Sequence, residues 1–180
     1  LENKRETVKM RFLIITKKQL MLGICALIAV IAVVIGSATA FAGNDRKLPI
    51  YCVETEKKQI AISFDAAWGN DDTQMLIDIL KEYNVPATFF VVGSWVDKYP
   101  ESVKALSDAG HQVQNHSNTH PHMPQLSKQQ MRDELESCNS KIKAITGVCP
   151  TLLRPPYGDY DNALIETVDS INMKTIQWSV

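Results

Sequence analysis

Two histidines four residues apart, His116 and His120 in the segment HSNTH, have a spacing that suits one metal ion. Residues i and i+4 of a helix lie on one face, where two imidazoles can bind the same divalent cation. His120 precedes Pro121, however, and a residue before proline avoids the α region. We therefore expect the pair on a loop with a single tight turn, with His122 as a third imidazole nearby. Hydrogen-bonded or solvent-exposed loop histidines are the alternative interpretation.

A carboxylate and a guanidinium also occur where short apolar segments end. Asp65 follows the segment QIAISF, Asn115 and His116 follow a weaker apolar segment, and Arg154 begins RPPYG. The C-terminal ends of parallel strands meet on one rim of an α/β fold, and active sites lie there. Taken singly, such an Asp is often a helix cap and such an Arg a salt-bridge partner. Their shared position at strand ends favours an active site.

The elements that must position these residues alternate along the chain. Periodicity predicts strands at 59–64, 87–92, 112–115, 151–154 and 174–180, and helices at 72–83, 100–109, 127–147 and 161–168. Ser127 and Gln130 form an S-x-x-Q capping box, and Gly147 suits the end of that helix. The alternating order predicts an α/β fold with a parallel sheet and crossover helices, either open or closed into a barrel.

An uncharged apolar run occupies residues 20–42 and is preceded by basic residues such as Lys17 and Lys18. A helix of roughly 20 apolar residues spans a bilayer, and flanking positive charge stays in the cytoplasm. We predict a basic cytoplasmic N-terminus (1–19), a transmembrane anchor or signal sequence (20–42), a linker (43–58) and an outer domain (59–180). A retained single-pass anchor in the cell membrane and a cleaved signal that releases a secreted domain both remain open.

Composition excludes some classes of protein. The 180 residues are 45% hydrophobic with a formal net charge of −1, which argues against nucleic acid as a partner. Of the four cysteines, Cys25 lies in the apolar run and three lie beyond it, where disulfides are permitted. No CxxC pair occurs, so a cysteine zinc site is not expected.

Three motifs together resemble a known family. SFDAAWG (63–69), HSNTH (116–120) and RPPYG (154–158), in this order, are similar to the motifs of NodB-type polysaccharide deacetylases, the fourth carbohydrate esterase family. The resemblance runs from about residue 57 to the end, and the AAWG variant resembles the sporulation-associated PdaB-like branch. It implies a distorted (β/α) barrel with a divalent metal, usually zinc. It also implies hydrolysis of N-acetyl groups on polysaccharide such as peptidoglycan or chitin-like oligomers.

The same resemblance implies roles for individual residues. Asp65 matches the catalytic base, and His116 and His120 match the two metal-ligating histidines. Arg154 matches the arginine that orients the base. Tyr157 matches the residue whose backbone N–H helps to hold the oxyanion, and no further cofactor is implied.

One position departs from the family pattern. The motif usually carries a second Asp, a metal ligand, where this chain has Ala66. Loss of an anionic ligand weakens metal binding, and Asp71, Asp72 or water are the candidate substitutes. The family's later motifs, including a general-acid histidine, lie beyond Val180, so we expect the sequence to be a fragment.

Three functions fit these observations. The first is a metal-dependent deacetylase of cell-wall glycan, in which Asp65 takes a proton from a metal-activated water. The second is a glycan-binding or structural protein on a catalytically degenerate scaffold. The third is another hydrolase on the same barrel, such as an O-esterase.

Overall fold

The computed structural model describes residues 16–40 and 46–179, which belong to two compact units that divide at Asp45. The first unit contains helix α1, Lys17–Ala40. Within the described residues, no helix combines the length and the hydrophobicity that crossing a membrane requires. The described residues leave out most of the predicted cytoplasmic segment (1–19). They also leave out the last two residues of the predicted anchor (20–42). Both therefore stay predictions.

The second unit is built on a five-stranded parallel sheet in the order β1-β2-β3-β4-β5. The strands are β1 (Ser63–Ala66), β2 (Thr88–Val91), β3 (Gln112–Asn115), β4 (Leu152–Leu153) and β5 (Lys174–Thr175). Each strand pairs in parallel with the next one along the chain, and parallel neighbours need a crossover connection, which helices supply here. The predicted parallel-sheet α/β fold is confirmed, and closure of the sheet into a distorted barrel stays a prediction.

Five helices connect or flank these strands: α2 (Thr73–Glu82), α3 (Gly93–Lys98), α4 (Pro100–Asp108), α5 (Lys128–Thr146) and α6 (Asn162–Ser170). All but α3 are predicted from the sequence. Helix α3 has six residues and begins two residues after β2, so its buried Trp95 and Val96 continue the apolar pattern of the strand. Short 3-10 turns at Met123–Gln125 and Pro156–Gly158 complete the connections.

The start and the end of α5 follow from local sequence. Ser127 accepts a hydrogen bond from the backbone N–H of Gln130, and the Gln130 side chain accepts one from the N–H of Ser127, which completes the predicted capping box. Gly147 ends the helix in the left-handed conformation at φ 76°, which glycine adopts without a steric penalty.

The first and last strands are shorter than predicted. Strand β1 begins at Ser63 rather than residue 59, and Ile60 is 88% exposed. Strand β5 ends at Thr175, and the next residue, Ile176, makes an isolated parallel bridge to Ile50. Part of the segment predicted as a linker (43–58) thus pairs with the sheet edge. β-branched composition indicates a strand, but only a backbone partner in register makes one.

Apolar side chains form two clusters around the sheet. One is centred on β2 and helices α2 to α5, and the other joins α5, β4 and α6. All four cysteines are free, so none of the permitted disulfides is present. Cys138 lies in the first cluster, where burial raises the pKa of its thiol to about 12 and keeps it neutral. It acts as a small apolar core residue.

Leu164 of α6 is fully buried in the second cluster, whereas Leu48 is 62% exposed. We expect Leu164→Ala to lower the free energy of unfolding by about 2–5 kcal/mol, because it removes buried methyl groups and leaves a cavity. Leu48→Ala, the same chemical change at the surface, should alter it by less than about 0.5 kcal/mol. Urea unfolding measures both, and equal effects would contradict this placement of the core.

Candidate active site

A buried arginine joins the ends of two strands that are not neighbours in the sheet. Arg154, directly after β4, donates from Nη1 to Oδ1 of Asp65 on β1 at 2.8 Å and from Nη2 to the Ser63 hydroxyl at 2.7 Å. The Arg154 side chain is 6% exposed and the Asp65 side chain 33%. The guanidinium also lies 4.1 Å from the centre of the Phe90 ring. The carboxylate is therefore held in one orientation while it remains open to water.

The same arginine fixes the first histidine. His116 Nδ1 lies 2.6 Å from the backbone oxygen of Arg154, and because a carbonyl only accepts, Nδ1 carries the proton. Nε2 then bears the free lone pair, which is the form that ligates a metal. Burial lowers the pKa of His116, with Asp65 opposing that shift, so the ring stays neutral.

The second histidine lies on the same loop at a left-handed residue. His120 has φ 62°, and its backbone N–H donates to the Ser117 hydroxyl at 2.9 Å. The rings of His116 and His120 are 5.0 Å apart. The prediction that both histidines lie on a loop is confirmed, and the loop bends at Asn118 and Thr119. Burial lowers the pKa of His120 as well, and its buried Nδ1 has no partner among the described residues.

These two imidazoles fit a divalent metal as protein ligands, because both are neutral and one has an unpartnered buried nitrogen. They do not complete a site. No group of three or more His, Cys, Asp or Glu side chains that could hold a metal occurs in the described part of the chain. Ala66 lines the same cavity as the two histidines, so the departure from the family motif lies at the site itself.

A cavity of about 620 Å³ contains Asp65, His116 and His120 in its wall. Its other lining residues include aromatic side chains with large exposed fractions, 75% for Trp68 and 56% for Tyr157. Tyr157 lies in the Pro156–Gly158 turn at φ 60° and ψ 6°, with its ring 4.6 Å from that of His120. The structure thus brings together all five predicted site residues.

Two residues at the site were not predicted from the sequence, and His122, predicted nearby, lies beside the cavity without lining it. Ser63 was missed as the partner of Arg154, although it is two residues before Asp65 and so on the same face of β1. Trp68 has no role predicted from the sequence, and its ring centre lies 5.4 Å from that of His120. His122, the third imidazole, is not among the cavity-lining residues. It pairs with Asp159 at 3.1 Å and stacks on Tyr157 with the ring centres 4.1 Å apart.

Residues 53–176 match the family model described as polysaccharide deacetylase. Among curated relatives, the chain is 37% identical over 131 residues to the peptidoglycan-N-acetylmuramic acid deacetylase PdaA of Bacillus subtilis. That match covers 72% of this chain and 50% of PdaA. The chain spans about half the length of the curated relatives it matches.

Solved structures agree with the family model. BA3943, a CE4 family pseudoenzyme from Bacillus anthracis, superposes with a TM-score of 0.71 at 37% identity over 74% of this chain and 47% of that one. A BA3943 mutant with restored enzymatic activity superposes with a TM-score of 0.72 at 38% identity, over 74% of this chain and 49% of that one. With its motifs, its parallel sheet and a family match over most of its length, this chain belongs to the polysaccharide deacetylase family.

Proposed function

We propose that this protein is a metal-dependent deacetylase that removes N-acetyl groups from cell-wall polysaccharide, with peptidoglycan as its substrate. The observation that carries the proposal is one cavity in which the Asp65 carboxylate, oriented by Arg154, meets the neutral imidazoles of His116 and His120. The peptidoglycan deacetylases among the relatives support the substrate class. Zinc, the membrane anchor and a sporulation role of the PdaB type belong to this proposal too.

Different residues of the chain have different roles in amide hydrolysis. Asp65 takes the proton of the attacking water, since its partly exposed carboxylate is held by Arg154 and faces no other described cation. His116 and His120 would hold a divalent metal, which would supply Lewis acidity towards the acetyl carbonyl and would lower the pKa of a bound water. The backbone N–H of Tyr157 stabilises the oxyanion that develops on the acetyl oxygen. Collapse of this intermediate breaks the C–N bond, and the proton that Asp65 took passes to the sugar nitrogen, which leaves as the amine. Exposed faces of Trp68 and Tyr157 suit the apolar faces of sugar rings.

Acetate release is the test of this function. The full-length protein should release acetate from N-acetylglucosamine oligomers and from peptidoglycan fragments when zinc or cobalt is supplied, and chelator should stop the release. O-acetylated xylan in parallel distinguishes an O-esterase. A folded, zinc-loaded protein that releases acetate from none of these substrates would overturn the proposal.

We expect Asp65→Asn to lower kcat for acetate release by about 10²–10⁴-fold, because the amide cannot take a proton from water. Zinc affinity, measured by titration calorimetry, should stay unchanged. The matched control is Asp78→Asn on the exposed side of α2, which should leave kcat as it was. Loss of zinc from the Asp65 variant would show that Asp65 is a ligand rather than the base.

His116→Ala and His120→Ala should each abolish detectable zinc binding, since two imidazoles are the only neutral nitrogen ligands that line the cavity in the described residues. His122→Ala, which removes an imidazole from the neighbouring stack, should bind one zinc per chain like the parent protein. Calorimetric stoichiometry checks all three variants. Full retention of zinc by either of the first two would remove that residue from the metal site.

A catalytically degenerate glycan-binding scaffold is the second candidate, favoured by Ala66 at the cavity wall and by a pseudoenzyme among the structural neighbours. We expect Ala66→Asp to tighten zinc binding by about 10–100-fold, because it adds a carboxylate beside the two imidazoles. Ala67→Asp, one residue further along the same wall, is the matched control and should tighten it less. Equal affinities in the two variants would show that position 66 does not face the metal.

A further inference from the structure

The segment between the two histidines is held in a conformation that its own sequence does not favour. Ser117 has φ 67° and His120 has φ 62°, so two non-glycine residues of one five-residue loop are left-handed. Each such residue is strained, and it persists only where surrounding contacts hold it. The relative positions of the His116 and His120 rings therefore depend on the contacts that hold residues 117–119 in place.

One carboxylate from another element binds the centre of this loop. Glu134 of α5 accepts the backbone N–H groups of Asn118 and Thr119 with Oε2, each at 2.8 Å. Its Oε1 accepts the Thr119 hydroxyl, also at 2.8 Å. Hydrogen bonds from peptide N–H groups to an ionised carboxylate are about twice as strong as neutral ones. Glu134 thus fixes two consecutive peptide groups between the histidines.

The opposite side of the loop rests on α3. The backbone N–H groups of Gly93 and Ser94 donate to the carbonyls of Ser117 and Asn118, both at 2.9 Å. A Cβ at position 93 would collide with the Asn118 side chain, so only glycine allows this approach. The first residues of α3 donate to the carbonyls of the loop, and Glu134 accepts from its amides. The loop is therefore held by hydrogen bonds on both sides.

We propose that Glu134 is a positioning residue for the metal-binding histidines. Glu134 is not among the cavity-lining residues, so it acts through the loop rather than on the substrate. This proposal rests on the proposed function only because it takes His116 and His120 as metal ligands. The hydrogen bonds from the loop to Glu134 are present whatever reaction the site catalyses.

The test compares three variants of the full-length protein: Glu134→Ala, Glu134→Gln and Glu136→Ala. The first removes every acceptor, and the second removes the charge but keeps an amide oxygen for the two N–H groups. The third removes an exposed carboxylate of the same helix that pairs with Arg132, and it serves as the matched control. Two quantities are measured: amide hydrogen exchange at Asn118 and Thr119 without metal, and zinc affinity by calorimetry.

We expect Glu134→Ala to speed exchange at both amides and to weaken zinc binding by about 10–100-fold, as loss of outer-shell partners does. Glu134→Gln should keep most of the amide protection and most of the affinity. Glu136→Ala should match the parent protein in both measurements.

Unchanged amide exchange in Glu134→Ala would overturn the proposal. Equal loss of zinc in the Gln and Ala variants would overturn it as well, because the effect would then be attraction by charge rather than positioning. If the parent protein binds no zinc, the exchange measurement alone decides the role of Glu134. In that case only the proposed metal-dependent function fails.

Discussion

The buried ion pair between Arg154 and Asp65 is the interaction on which the geometry of the site depends. A buried charge is costly unless it is paired, and the Arg154 side chain is only 6% exposed. Asp65 and Ser63, on a strand three positions away in the sheet, accept from its two terminal nitrogens. Its Nε has no partner among the described residues. The backbone of Arg154 contributes as well, because its N–H donates to the Asn115 carbonyl and its carbonyl accepts from His116. Arg154 thus sets the positions of the Asp65 carboxylate and of the His116 imidazole.

Around this pair the scaffold holds a strained loop in place. Asn115 ends β3 and accepts the N–H of Ser117 with its side-chain oxygen, while its amide group donates to the Leu135 carbonyl and to Asn139 on α5. Helix α5 therefore contacts the histidine loop through Asn115 as well as through Glu134. The long helix is positioned by its own capping box and by its apolar side in both core clusters. The packing of the core fixes α5, and the hydrogen bonds from α5 hold the loop in a conformation that it would not adopt alone.

The cavity that His116 and His120 line is where this chain departs from its family's motif. Two neutral imidazoles and the Arg154-paired carboxylate of Asp65 lie at one cavity, but the carboxylate that the motif usually carries is replaced by Ala66. In the described residues no three metal-ligating side chains come together. The neighbouring BA3943 structures, one named as a pseudoenzyme and one as a mutant with restored activity, show that such sites in this family can differ in competence. The rigid base, the histidine pair and the aromatic walls favour a deacetylase over a bare scaffold.

The sequence by itself determined the parallel-sheet α/β class of the fold, and it predicted five candidate site residues that the fold brings together. Apolar segments, the capping box and Gly147 are local signals, and polar residues at strand ends must meet when the strands are parallel. Helix α3, the true limits of β1 and β5 and the pairing of Ile50 with Ile176 needed the tertiary structure, because a strand is defined by a partner distant in sequence. The roles of Ser63 and Glu134 were likewise decided only by folding. Their hydrogen bonds join segments 91 and 15–16 residues apart. No local pattern encodes which carboxylate of a helix will meet a loop amide.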